Sequence, residues 1–441
     1  MLNKLSNNST FEILLLVISF IMLFTNTLPL IPLSIVLLPV ILFRVGLSGS
    51  IFFLIIIAPL YYGRLLFLMD IPAGGIFQLM GIFLILFGLL CKKIELNDMR
   101  KGLYILSFFI VYLYITVLLT TGGDYANEKL ILTIITSYLS FFAFVILFNQ
   151  HSDAKFDRLA LYLVSISVWL LILSPLVNGT NGPSSPFDFG FMRNGIDETS
   201  SDKNQYQIVY HLPGYVSLYG FSLLMFSKNI YFHKKTALFL LFVSILICLY
   251  SGARQFILIS IMFLFIFLFF QRNKSKKNIL NVFVPVLGVL LILYLVLNKV
   301  EIFDSVMEKG LIEGSGRSLL LIEGVNLFVS HPTWGVGYGR YVFMGEYGSY
   351  PHNIIIELLS EIGIVGTMLF FYIFIRSIVR AKTMLHFSIF ILLLLFFRAF
   401  VSGGMDQNIV VLSIVLSLET IVANKHIVMD NPLFLKKYEN N

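Results

Sequence analysis

Apolar runs close to the roughly 20 residues that cross a bilayer recur along the whole chain, separated by mostly short polar segments. The pattern predicts spans near residues 11–29, 30–43, 50–63, 75–91, 103–120, 130–148, 159–177, 207–226, 236–253, 255–270, 279–298, 362–375, 386–398 and 406–423. The runs at 30–43, 50–63 and 386–398 are short, so the expectation is an all-α polytopic membrane protein of about 12–14 transmembrane helices. Two polar segments are too long to be simple connections. Residues 178–206, rich in Asn, Gly, Ser and Asp, read as a flexible cap, and residues 299–361 mix acidic residues, glycines and an apolar helical stretch. The chain thus divides into a bundle of about eleven spans over 1–298, a large and mostly helical external loop over 299–361, C-terminal spans over 362–425 and a tail over 426–441.

Composition agrees with that reading. At 58% hydrophobic and 12% charged residues, with a mean hydropathy of +0.90, the chain has too little polar surface for a soluble globule of 441 residues. Charge then gives an orientation, because cytoplasmic loops of membrane proteins collect Lys and Arg. With the N-terminus inside, 21 of the 31 basic residues fall in predicted cytoplasmic segments, including Arg44, Arg158, Arg376 and Arg380. The other ten are expected outside: Arg64, Lys129, Arg193, Lys203, Arg254, Lys299, Lys309, Arg317, Arg340 and Arg398. Shifting the register by one span inverts the asymmetry, so both termini are expected in the cytoplasm. The net charge of +7 follows from topology and calls for no nucleic acid. The first apolar run leads straight into another with no A-x-A-like site, which argues against a cleaved signal peptide. Cys91 and Cys248 fall at opposite ends of their spans, too far apart for a disulfide.

Chemistry-bearing residues gather late in the chain. Arg254, in Ser251-Gly-Ala-Arg254, sits in a turn so tight that its guanidinium is held at the membrane–water interface. Arg317 follows Gly314-Ser-Gly316 and opens an amphipathic run that ends at Ser330-His-Pro332. A guanidinium offers a planar fork of donors for phosphate oxygens, each charge-assisted bond contributing roughly 1.5–3 kcal/mol. Two of them could clamp a diphosphate. An interfacial arginine can equally anchor a helix end at lipid head groups; Arg254 stands out because basic residues are sparse on this face, whereas Arg340 and Arg398 do not stand out in this way.

Ser349-Tyr-Pro351 reads as a helix start, with the proline near the first turn. That puts His352 at a helix N-terminus, where the dipole disfavours imidazolium and leaves a neutral base. Asn353, Glu357 and Glu361 recur at i, i+4 and i+8 on one helix face, from which they could orient sugars or pair with the arginines. A histidine standing alone would more often be a hydrogen-bonded interfacial residue, which is the reading given to His211 and His331. His352 has no second His or Cys at ligand spacing, so no metal is expected. Gly335, Gly337 and Gly339 follow no strand and precede no Gly-Lys-Ser/Thr, so they read as a tight turn permitting close approach of a chain or glycan.

In order, Ser251-Gly-Ala-Arg254, Gly316-Arg317 with the run to His331-Pro332, Gly335-Val-Gly337, His352-Asn353 and Glu361-Ile-Gly363-Ile-Val-Gly366 resemble the O-antigen polymerase and O-antigen ligase superfamily, over about residues 236–376. Gln255 departs from the small residue usual after the first arginine. The resemblance implies a glycosyltransferase C-like helical fold in a bacterial plasma membrane. It also implies inverting glycosyl transfer from an undecaprenyl-diphosphate-linked glycan, with no metal, nucleotide sugar or other cofactor. By matching position, Arg254 and Arg317 would hold the donor diphosphate and His352 would deprotonate the acceptor hydroxyl. Arg340, Asn353, Glu357, Glu361 and Arg398 are further candidates for substrate contact. The implied partners are the lipid-linked oligosaccharide, membrane lipids and a chain-length regulator protein. Polymerase is favoured by the Phe/Ile/Lys/Asn-rich composition, with ligase as the alternative. A lipid-linked oligosaccharide flippase is a further alternative, disfavoured because the spans carry almost no charge at their centres.

Overall fold

A computed structural model describes residues 10–25, 30–67, 75–91, 93–94, 99–120, 124–150, 153–178, 211–225, 234–252, 254–271, 317–345, 351, 353–381, 389–395 and 405–423. Among these there are helices and turns and no strand. In chain order the helices are α1 (Thr10–Thr25), α2 (Leu30–Phe52), which runs through a π-helical turn at Phe53–Ile57 into α3 (Ala58–Phe67), then α4 (Ile76–Leu90), α5 (Arg100–Leu119), α6 (Asp124–Gln150) and α7 (Asp153–Asn178). They continue with α8 (Leu212–Leu224), α9 (Lys234–Ser251), α10 (Arg254–Gln271), α11 (Arg317–Ser330), the short α12 (Tyr341–Met344), α13 (Ile354–Arg380) and α14 (Met405–Ala423).

Among the described residues, five helical runs are long and apolar enough to cross a membrane: Leu33–Gly63, Arg100–Leu119, Tyr125–Asn149, Phe156–Pro175 and Ile354–Arg380. Shorter apolar helices of 10–17 residues fall on most of the other expected spans. The span near 279–298 and nearly all of the 178–206 cap lie outside the described residues. The expected spans at 30–43 and 50–63 form one helical run, broken at Gly46, whose φ of 69° and ψ of −177° leave the helical region. A left-handed φ costs glycine nothing, so the break falls on the residue that tolerates it.

The chain forms two compact units. The first comprises 1–45, 57–74 and 152–314 and is centred on α7, whose Leu159, Tyr162, Leu163, Ile166 and Trp169 are all buried. α8 is buried throughout and lies against α7. Gly220 permits the approach, since a Cβ there would stand 2.9 Å from the Ala160 carbonyl oxygen. Small residues serve this purpose in lipid, where close backbone packing replaces the hydrophobic drive. At one end of the unit Glu12 is fully buried and held by Arg44 (Nε to Oε1, 2.7 Å), Arg158 (4.0 Å) and the Tyr162 hydroxyl, which donates at 3.0 Å.

The second unit comprises 46–56, 75–151 and 315–441. In it α14 packs against α5, α6 and α13, and α11 packs against α13. It has a matching clasp: buried Glu419 of α14 receives Arg376 at 3.1 Å, Arg380 at 3.0 Å and the Ser377 hydroxyl at 2.7 Å, all from the end of α13.

Candidate functional site

The second unit also holds most of the described residues from the chemistry-bearing stretch. α11 ends where Pro332, two residues past Ser330, removes a donor. The chain then turns through Gly335, Gly337 and Gly339, with φ of 72°, 105° and 77°. α13 begins at Ile354, capped by Asn353, whose Oδ1 accepts the amides of Ile355 at 3.0 Å and Ile356 at 3.2 Å. The boundary therefore differs from the one read from Pro351. A side chain that satisfies two orphan amides sets the helix start, and the proline lies two positions before the cap.

α13 is interrupted at Gly363 (φ 64°, ψ −171°). Breaking a helix strands carbonyls on one side and amides on the other, and buried backbone groups need partners. Here the glycine turn supplies them. Val336 and Gly337 amides donate to the Ser360 and Glu361 carbonyls at 2.8 and 2.9 Å, while Ile364 and Val365 amides donate to the Pro332 and Thr333 carbonyls at 2.9 and 3.3 Å. The Ile362 carbonyl accepts from the Tyr112 hydroxyl at 3.0 Å, and the Gly363 carbonyl from the Thr367 hydroxyl at 2.7 Å. A Cβ on Gly335 would strike the Glu361–Ile362 peptide, and one on Gly363 would strike the Thr333 carbonyl. The close approach that the glycine spacing suggested is thus made by the chain's own helix.

Glu357 and Glu361 share a face of α13, as their spacing requires, and both are fully buried. Their counter-charge among the described ion pairs is Lys129 of α6. Its ammonium lies 3.3 Å from Glu357 Oε1 and 3.1 Å from Glu361 Oε1, with only 8% of the side chain exposed. The same ammonium is 5.1 Å from the centre of the Tyr338 ring, within reach of a cation–π attraction. One turn along α6, Thr133 shares a hydrogen bond with the Tyr338 hydroxyl. In the sequence Lys129 stands only as one of the external basic residues. Two carboxylates four apart on a membrane-inserted helix are the signal that a cation must come from elsewhere.

Tyr341 joins α12 to α11 by donating to the Leu320 carbonyl. Burial is the main cause holding its phenol above the ordinary value, with the Glu323 carboxylate adding to it. Arg340 immediately precedes α12; it is half-buried and its amide donates to the Gly337 carbonyl at 3.1 Å.

Arg254 is the first residue of α10, just after Gly252 (φ 72°), and Arg317 is the first residue of α11; their side chains lie outside the described set. Arg254 belongs to the first unit and Arg317 to the second. His352 and Arg398 lie outside the described residues. Among the described residues, no group of three or more His, Cys, Asp or Glu side chains gathers to hold a metal ion.

The long apolar helices of both units make this an all-α, polytopic membrane protein. Within it, residues 238–371 match the family model described as O-antigen ligase, in agreement with the resemblance to the O-antigen polymerase and ligase superfamily. That stretch runs from α9 through the glycine turn and past the break in α13. No curated protein matches the chain.

Proposed function

We propose that the protein is a bacterial polysaccharide polymerase, an inverting glycosyltransferase that joins undecaprenyl-diphosphate-linked repeat units at the outer face of the plasma membrane. One observation carries the reading: the match to the O-antigen ligase family covers the stretch containing Arg254, Arg317 and His352. Arg254 and Arg317 each open a helix, where the first-turn amides and the positive dipole end add to the attraction for a diphosphate. His352 directly precedes the Asn353 cap and takes the proton of the acceptor hydroxyl. That oxygen attacks the anomeric carbon from the face opposite the diphosphate, which leaves with the bonding pair on undecaprenyl diphosphate. The configuration inverts, and the two arginines offset the charge that builds on the leaving group.

The matched family is equally compatible with a second reading, in which the same chemistry delivers a lipid-linked glycan to a lipid A core sugar. Passage through the membrane is disfavoured. Glu12, Lys129, Glu357, Glu361 and Glu419 are all tied into ion pairs near helix ends, where a conduit would want ionisable groups along a central path.

The test is a glycan ladder from a strain lacking the gene, complemented with wild type, Arg254→Ala or His352→Ala at matched membrane levels. Polymerase activity predicts that the variants leave a single repeat unit on its acceptor. Ligase activity predicts loss of all attached glycan, with long chains accumulating on the lipid carrier. A ladder unchanged by both substitutions would refute the assignment of the residues.

A further inference from the structure

Beside the glycine turn an ion cluster ties α6 to α13, the helix whose Asn353 cap directly follows His352 in the chain. Lys129 comes from α6, Glu357 and Glu361 from the first turns of α13, and Tyr338 from between the glycines. Gly339 lies so close to α6 that a Cβ would sit 3.0 Å from Ala126 Cα and 3.3 Å from Lys129 Cδ. The Glu361 carbonyl accepts the Gly337 amide while the Glu361 side chain holds Lys129. One residue therefore ties turn, helix and cation together.

From this geometry we infer that Lys129 is a positioning residue for glycosyl transfer: by gripping Glu357 and Glu361 beneath Tyr338, it fixes the capped start of α13 against the glycine turn. The inference rests on the proposed transferase function. A buried ammonium gripped by two carboxylates is directional, because each oxygen demands its own donor vector. A well-packed apolar contact of the same volume would hold the elements together without fixing their register so closely. The chain entering α13 at Asn353 is where a small displacement matters most, since a misplacement of about 1 Å can cost about 100-fold in rate.

The cluster carries two negative charges and one positive. Lys129→Met leaves both carboxylates buried without their cation, and that variant could simply fail to fold. The triple variant Lys129→Met, Glu357→Gln, Glu361→Gln removes all three charges at similar volume, so none is left buried without a counter-charge. Purified full-length proteins in lipid nanodiscs, given a lipid-linked repeat unit as donor and acceptor, report kcat and KM alongside the melting temperature. A positioning role predicts a triple variant that melts like wild type, keeps KM within about twofold and loses kcat by about 10–100-fold.

Wild-type kcat in the triple variant would overturn the inference, because the ionic contacts would then be dispensable for transfer. A raised KM with kcat kept would overturn it too, giving the carboxylates to substrate binding. Activity lost only in proportion to folded protein would reduce Lys129 to a structural residue. If wild type itself transfers no sugar and deletion leaves the ladder intact, it is the transferase reading that fails, and the two failures are told apart.

Discussion

At the residue scale, glycines with the same composition value have opposite structural roles. Gly363 sits at φ 64° with a neighbouring backbone carbonyl in the space a Cβ would fill, whereas Gly63 of α3 has nothing within 4 Å of that position. Gly363→Ala should cost about 2 kcal/mol or more, combining roughly 1–2 kcal/mol for the left-handed conformation with the displacement of Thr333. Gly63→Ala should be neutral or stabilising by about 0.5–1 kcal/mol, since alanine loses less backbone entropy in a helix. Thermal unfolding in one detergent orders the three proteins, and equal melting of the two variants would contradict the break at Gly363. Asn353 makes a similar contrast. Asn353→Ala removes an acceptor for two amides and should cost about 1 kcal/mol, while Asn353→Asp keeps it. If both variants melt like wild type but differ in transfer rate, substrate contact rather than capping is the role of that side chain.

Periodicity shows where helices lie at the scale of elements, and it is silent on where they break. The apolar pattern runs unchanged through Glu361-Ile-Gly363-Ile-Val-Gly366, and the groups that repair the break come from Pro332, Thr333, Val336 and Gly337, in a turn outside the helix. The glycine spacing of that turn signalled a close approach without naming its partner. Glu357 and Glu361 were legible as one face; Lys129 was not, being 228 residues from Glu357. The carboxylate clasps were equally hidden. Glu12 in α1 and Glu419 in α14 each draw two arginines, and nothing local to either glutamate names them. Removing one partner of a fully buried ion pair costs about 3–5 kcal/mol, and less where the arginines reach water. Arg44 and Arg158 are 27% and 17% exposed, so Glu12→Gln should cost about 2 kcal/mol. Adding Arg44→Gln should return part of that loss, because one fewer charge is left unpaired. Strict additivity of the two losses would mean that the pair contributes no coupling.

For the whole molecule, the clasps bear on topology. Within the first unit, Arg44 and Arg158 both meet Glu12, so residues 44 and 158 lie at the same end as the start of α1. This is the grouping that charge asymmetry requires if α1 and the first part of α2 are successive crossings, even though 30–43 and 50–63 join in one helical run. Within the second unit, Lys129 meets the first turns of α13 and Glu419 meets its last. Past the break, Ile364 and Arg376 are 12 residues apart, about 18 Å along a helix at 1.5 Å per residue, more than half the depth of a bilayer core. Within this unit, if Arg376 and Arg380 lie in the cytoplasm as the charge asymmetry predicts, Lys129 and the glycine turn lie at the outer end. Single-cysteine labelling checks this in a chain whose Cys91 and Cys248 are first changed to serine. Trp334→Cys replaces a side chain that is 53% exposed beside the turn and should react with a membrane-impermeant maleimide in intact spheroplasts. Arg380→Cys, at the far end of α13, should react only after the membrane is opened. The reverse pattern would put Arg376 and Arg380 outside and contradict the proposed placement of the transfer site at the outer face.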